Sequence, residues 1–297
     1  MKKATTVEQQ IELLTNRGMS IDNGGIKAKE ILSDIGYFRL GFYCFPFETT
    51  YPSRKDRTHQ YKEGAKFSDA VSLYYLDVDL RNILLKYITR IEINFRTNII
   101  YNVSNQYINC NTWFVDHSVM EREFIEYFDA GLYTDKFRRY PVITQHHRKY
   151  INDKYAPAWK TLEFFTFGSM IYLYKNLKDK SLKQVIARRY GITNEKILLN
   201  YFNSLLEIRN ICAHNGVLFD HTLYRRLQNG PAVTITAINS CQLFSVIRVI
   251  LFILNAISKN RVTDMQNEIT ALFEKHRNND AIYRIINDCI GYKSNHL

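Results

Sequence analysis

The chain is short of paired cysteines, prolines, acidic residues and long apolar runs. Its five cysteines (44, 110, 212, 241 and 289) form no CxxC pair and leave one over. That argues against a disulfide framework and for free thiols in a reducing cytosol. The start, "MKKATTVEQQIELLT", has two lysines but no apolar run behind them, so no secretory signal is expected. The most apolar stretch, "CQLFSVIRVILFILNAI" from Cys241 to Ile257, carries Gln242 and Arg248. It falls short of the ~20 apolar residues a bilayer demands and reads as a buried helix. A cytoplasmic chain with no membrane partner is the expectation. Five prolines (46, 52, 141, 157 and 231) stand at segment boundaries and leave the rest of the pattern unbroken.

Acidic residues are outnumbered, 29 against 40 basic ones, for a net charge of +11. Such an excess favours a polyanionic partner, RNA or DNA before membrane. Aromatics make up 14% of the chain, with 21 Tyr and 18 Phe, most of them expected in the core. A few exposed tyrosines would suit stacking on unpaired bases.

Apolar residues recur at helical spacing almost throughout, which predicts an all-α fold. Helices are expected over about 7–17, 27–35, 181–190, 194–214, 239–258, 263–276 and 280–290, with a long one from about Ser68 past Tyr101. Another opens at Pro157 in "APAWKTLEFFTFGSMIYLYKNL", since proline suits a first turn. A turn is expected around "GMSIDNGG", a charged loop over 51–66, and an extended segment over 229–238. The domain reading is an N-terminal helical region, 1–66, followed by a helical domain, 67–297. Within the latter, residues 109–156 look like an insertion.

One stretch combines helical periodicity with reactive side chains: "LLEIRNICAHNGVLFD", Leu205 to Asp220. Gly216 is the expected helix stop, so Arg209, Asn210 and His214 belong to the last turns. Asn210 and His214 lie roughly 40° apart on the helix, whereas Arg209 and His214 are about 140° apart. The spacing is permissive rather than decisive. RNA cleavage through the substrate's own 2′-hydroxyl would use such a set: a base, an acid, and positive charge on the phosphate. Histidine titrates near neutrality, and arginine offers a planar fork matched to phosphate oxygens. Asparagine can hold the imidazole tautomer or a phosphate oxygen. The same residues also fit phosphate binding without chemistry, or a helix end whose dipole is met by cations. No carboxylate cluster or Cys/His ligand set argues for a metal, and no cofactor is called for.

The R-N-x-x-x-H core resembles the R-x(4–6)-H signature of the HEPN superfamily of helical ribonucleases. Its flanks resemble the Abi family of bacterial phage-resistance (abortive infection) proteins of the AbiD/AbiF type. Five blocks carry the likeness in the same order: "EQQIELLTNRGMSI", "LSDIGYFRLGFYCFPF", "ITRIEINFRTNIIY", "PAWKTLEFFTFGSMIYLYKNL" and "LLEIRNICAHNGVLF". Beyond about residue 235 no family motif is evident. The resemblance implies a HEPN-like bundle and a metal-independent endoribonuclease. It also implies a homodimer in which two motifs face each other, with products ending in a 2′,3′-cyclic phosphate and a 5′-hydroxyl. Arg209 would be the phosphate ligand, His214 the general acid/base, and Asn210 the polar residue that follows the arginine. Asn215, next to His214, is a supporting candidate. A small noncoding RNA is a further partner the resemblance suggests, and a non-catalytic protein holding such an RNA is the alternative function.

Two other clusters are candidates. "RIEINFR" places Arg90, Glu92 and Arg96 on the long helix, with Glu92 and Arg96 an i,i+4 pair. Arg90 or Arg96 would line an RNA cleft, and Glu207 would orient an arginine. "FRRYPVITQHHRKY" interleaves Arg138, Arg139, Arg148 and Lys149 with aromatic rings, the texture of a nucleic-acid contact or of a solvated basic face.

Overall fold

The computed structural model describes residues 3–22, 25–236 and 238–292. Among them the chain forms fourteen α-helices and no sheet, so the all-α expectation holds. Asn23 and Gly24 of the expected turn, and Ala237 of the expected extended segment, lie outside the described residues. The helices are α1 (Val7–Asn16), α2 (Ile26–Ile35), α3 (Tyr37–Cys44), α4 (Phe67–Gln106), α5 (Arg122–Tyr127), α6 (Asp135–Arg138) and α7 (Pro141–Lys149). They continue with α8 (Ala158–Thr161), α9 (Phe167–Lys175), α10 (Lys180–Arg188), α11 (Glu195–Ala213), α12 (Leu243–Ile257), α13 (Lys259–Glu274) and α14 (Asp280–Ile285). No helix among the described residues is long and apolar enough to cross a membrane.

The chain divides into two compact units, each gathered from separated stretches. One comprises Met1–Ile83, His214–His221 and Asn267–Leu297; the other comprises Leu84–Ala213 and Thr222–Gln266.

In the first unit, Thr6 and Gln9 form a reciprocal capping box that starts α1. Gly36, at φ 86°, is the single residue between α2 and α3 and takes a backbone conformation that favours glycine. The aromatic run then closes with a 3-10 turn over Phe45–Phe47, all three residues buried. The expected loop, 51–66, is pinned by backbone bonds from Thr49 to Gln60 and from Lys62 to Phe47, both 2.9 Å. Leu73, Leu76 and Leu80 of α4 face the core of this unit, fully buried.

In the second unit, Leu84, Ile88, Ile91, Phe95, Ile99 and Val103 continue one buried stripe along α4. Phe95 meets Phe202 of α11 at 4.4 Å between ring centroids, and Phe167, Tyr174 and Tyr190 complete the cluster. Each such edge-to-face pair adds about 0.5–1.5 kcal/mol beyond its area burial. A second aromatic core, Phe114, Phe124, Phe128 and Tyr133, fills residues 109–156 and packs on Phe165 and on Tyr172 of α9. The apolar stretch near the C-terminus is the buried helix α12, with Arg248 on its exposed side. The helix expected from Pro157 is instead two, because Phe165 turns extended and Thr166 caps a new helix through Ser169 N–H.

Candidate functional site

Helix α11 ends at Ala213, and the candidate residues divide between the units at that point. In the second unit, Leu198, Phe202, Leu205 and Ile208 bury one face of α11. That leaves Arg209 on the flank, its side chain 30% exposed, and Asn210 exposed. Arg209 Nε stands 3.7 Å from Glu92 Oε2 of α4, near enough for charge attraction but beyond a hydrogen bond. That buried nitrogen has no hydrogen-bond partner, and Nη1 reaches only Asn210 Oδ1 at 3.4 Å. Nη2 makes no hydrogen bond among the described residues, and a partly open guanidinium of this kind is suited to take an anion at that end.

Glu92 is itself buried and held on its other oxygen. Arg96 Nη2 donates to Glu92 Oε1 at 3.2 Å and to the Phe165 carbonyl at 2.9 Å, while Nη1 lies 3.8 Å from Glu163. The expected i,i+4 pair therefore exists, and Glu92 bridges two arginines. Arg96 is only 8% exposed, so it braces Glu92 from within instead of presenting a surface contact. Arg90 is half-buried. Glu207 accepts the Tyr224 backbone N–H at 3.0 Å, which ties the loop after the motif to α11. The carboxylate set against Arg209 is that of Glu92.

In the first unit, His214 is exposed at the start of a tight turn. The residue in the left-handed conformation is Asn215, φ 55°, and not the expected Gly216. Asparagine is the commonest substitute for glycine there. Its carbonyl accepts from Arg39 Nη2 at 2.6 Å, and its side-chain Oδ1 accepts from Arg81 Nη1 at 3.1 Å. Arg81 is 3% exposed and pairs with Asp77, which is wholly buried. Asp77 also accepts from Phe219 N–H at 2.7 Å, Leu218 N–H at 3.0 Å and the Tyr43 hydroxyl at 2.8 Å. Burial pushes the Asp77 carboxyl up, while Tyr43, Arg81 and the two backbone donors pull it down. Tyr51 and Arg54 donate to Asp220 at the far end of the segment. The turn that carries His214 is thus fastened at Asn215, Leu218, Phe219 and Asp220.

Sequence reasoning missed Asp77, Arg81 and Arg39. The available signal was an Asp-x-x-x-Arg pair set among the apolar positions Leu73, Leu76, Leu80 and Leu84.

The basic run separates by burial. Arg138, Arg139, Arg148 and Lys149 are all exposed on α6, its cap and α7. Arg138 covers the Tyr133 ring at 5.2 Å, and Lys149 covers Tyr150 at 5.3 Å. Neighbouring His146 is buried and bonded to Asp153 at 3.0 Å, and His147 bonds the Tyr133 hydroxyl at 2.8 Å. Burial lowers the His147 pKa. Among the described residues no group of three or more His, Cys, Asp or Glu is placed to hold a metal ion.

A family model described as Abi-like protein matches residues 30–220, more than half of the chain. No curated protein and no solved structure matches it. The matched span contains four of the five blocks, with α4, the whole of α11 and the fastened turn after it; the block at 8–21 lies outside it. The chain therefore belongs to the Abi-like family, proteins of abortive infection that serve in defence against phage.

Proposed function

We propose that this chain is a phage-defence endoribonuclease that cuts RNA without a metal, of the type found in the HEPN superfamily. The observation that carries the reading is the end of α11. Arg209, set beside buried Glu92 with its side chain 30% exposed and its Nη2 making no hydrogen bond among the described residues, stands in its last turns, and the exposed imidazole of His214 follows where the helix stops.

The substrate's 2′-oxygen attacks the adjacent phosphorus and its proton passes to an imidazole. The P–O5′ bond breaks, and O5′ takes a proton as it leaves. The products end in a 2′,3′-cyclic phosphate and a 5′-hydroxyl. Arg209 lies against the phosphate oxygens, where charge accumulates in the transition state. Asn210 orients the phosphate or the imidazole. In a homodimer, two copies of His214 divide the base and acid roles.

A second reading has its own support in the exposed Arg138, Arg139, Arg148 and Lys149: a non-catalytic protein that holds a structured noncoding RNA through its phosphates. The two readings part in one experiment. Wild type, Arg209→Ala and His214→Ala are incubated with end-labelled single-stranded RNA in EDTA, with and without the RNA that co-purifies, and the ends are mapped. Cleavage by wild type that falls by about 100-fold or more in His214→Ala, with RNA binding and melting unchanged, is expected. Binding without cleavage in every wild-type sample would sink the enzyme reading and leave the second.

A further inference from the structure

Arg90, Glu92 and Arg96 do not exhaust the polar side chains of α4. Two residues on from Glu92 and Arg96, about 200° around the helix, stand Asn94 and Asn98, followed one turn later by Asn102. These three amides form a row about 12 Å long. That is the span of three or four stacked nucleotides at about 3.4 Å each. The end of α10 lies along this row. Tyr190 donates its hydroxyl proton to Asn94 Oδ1 at 2.9 Å, and Asn98 Nδ2 donates to the Ile186 carbonyl at 3.2 Å. Asn102 Nδ2 donates to the carbonyl and the Oδ1 of Asn98, at 2.8 and 2.7 Å. Asn94 Nδ2 and Asn102 Oδ1 are left with no hydrogen bond among the described residues.

Between the helices runs a groove of about 550 Å³ with no acidic residue in its walls. Arg188 and Arg189 stand along it, exposed, and make no ion pair among the described residues. The Tyr101 ring, 67% exposed, stands at its rim. If the asparagines served only to fasten α10 to α4, two of their six amide atoms, both arginines and an open tyrosine would have no task.

We infer that this groove binds single-stranded RNA, with Arg188 and Arg189 on phosphates, Tyr101 stacked on a base, and the asparagine row meeting base edges and 2′-hydroxyls. Single strands are bound by this combination of a basic track and a stacking ring. Amides that both donate and accept suit a 2′-hydroxyl, which does the same. The choice of RNA over DNA rests on the ribonuclease reading, but the groove's charge and shape do not.

The test uses a fluorescein-labelled 12-mer of uridine with full-length protein, in the His214→Ala background and in EDTA, so that the probe survives. Anisotropy is read across a salt series. Replacing both Arg188 and Arg189 by alanine is expected to flatten the slope of log K against log salt by about 1.4, two phosphates at about 0.7 each. Tyr101→Ala is expected to weaken binding by roughly 5- to 100-fold with the slope intact. All three side chains are exposed, and unchanged melting checks the fold. Undiminished binding in both variants, or no binding by the parent, would overturn the groove even if wild type cuts RNA. Equal affinity for a thymidine DNA 12-mer would overturn the RNA assignment. Groove effects in a protein that never cleaves would leave the groove standing and remove the ribonuclease reading alone.

Discussion

Arg81 Nη1 lies 3.1 Å from Asn215 Oδ1, a hydrogen bond between residues 134 positions apart. It fixes the residue next to His214 to a buried arginine of α4, in the one conformation there that disfavours a side chain. Asn215→Gly keeps the backbone shape and loses only the side-chain bond, so its stability should fall by about 1 kcal/mol. Asn215→Val adds the left-handed penalty, about 1–2 kcal/mol more. Urea unfolding measures the difference. Cleavage should drop in both, further in valine, because the turn carrying the imidazole loses the tether nearest to it. Equal unfolding midpoints for glycine and valine would contradict the backbone argument.

Glu92 is buried between Arg96 and Arg209. Removing it alone, Glu92→Ala, leaves the Arg96 cation buried without its carboxylate, at a cost of about 3–5 kcal/mol. Adding Arg96→Leu removes that stranded charge, so the double variant should regain much of the loss. Arg209 reaches solvent and needs no such rescue for stability, yet it stays unbraced in both. The expected pattern is stability that recovers while cleavage does not. Recovery of both would mean that Glu92 acts on the fold and has no part in placing Arg209.

Helices were legible wherever packing repeats a simple spacing, as in the α4 stripe from Leu84 to Val103. They were not legible where a local cap competes with that spacing. "EFFTFGSM" keeps an apolar rhythm through Phe165, but Thr166 bonds Ser169 N–H and restarts the chain as α9. Partition into units was hidden for another reason. Asp77 gathers Leu218 and Phe219 from 141 and 142 residues away, and no local pattern announces such a meeting.

The site was legible to the extent that residue type alone carries it. Arginine, asparagine and histidine in the last turns of a helix could be found by reading, and so could Glu92 and Arg96 at their i,i+4 interval. The identity of the stop could not, since "HNGV" offers two residues able to go left-handed and the partners Arg39 and Arg81 decide for Asn215. Arg96 read as a residue that would line an RNA cleft because burial depends on what α4 packs against. Here that is the Phe165 carbonyl and Glu163.

Glu48 makes the first unit sensitive to acid. It is 2% exposed, takes Arg57 Nε at 2.9 Å and Nη2 at 2.5 Å, and lies 3.2 Å from His59 Nδ1. Arg57 also covers the Phe45 ring at 4.3 Å, so the pair joins the 51–66 loop to the aromatic turn. Burial alone would push the Glu48 carboxyl up, but the hydrogen bonds from Arg57 and His59 outweigh it and hold it below its ordinary value of 4.5. The folded state therefore binds this proton less readily than the unfolded chain does. Its stabilising contribution is complete above 4.5 and fades as pH falls from there through the folded value. Glu48→Gln should accordingly be less stable than wild type at neutral pH and flatter in its acid limb, with the two curves converging at low pH. Protection of the Thr49 and Lys62 N–H groups, which close this loop, taken relative to the intrinsic exchange rate at each pH, should fall in acid for wild type and be low throughout for the variant. Parallel acid limbs would show that some other carboxylate sets the acid response.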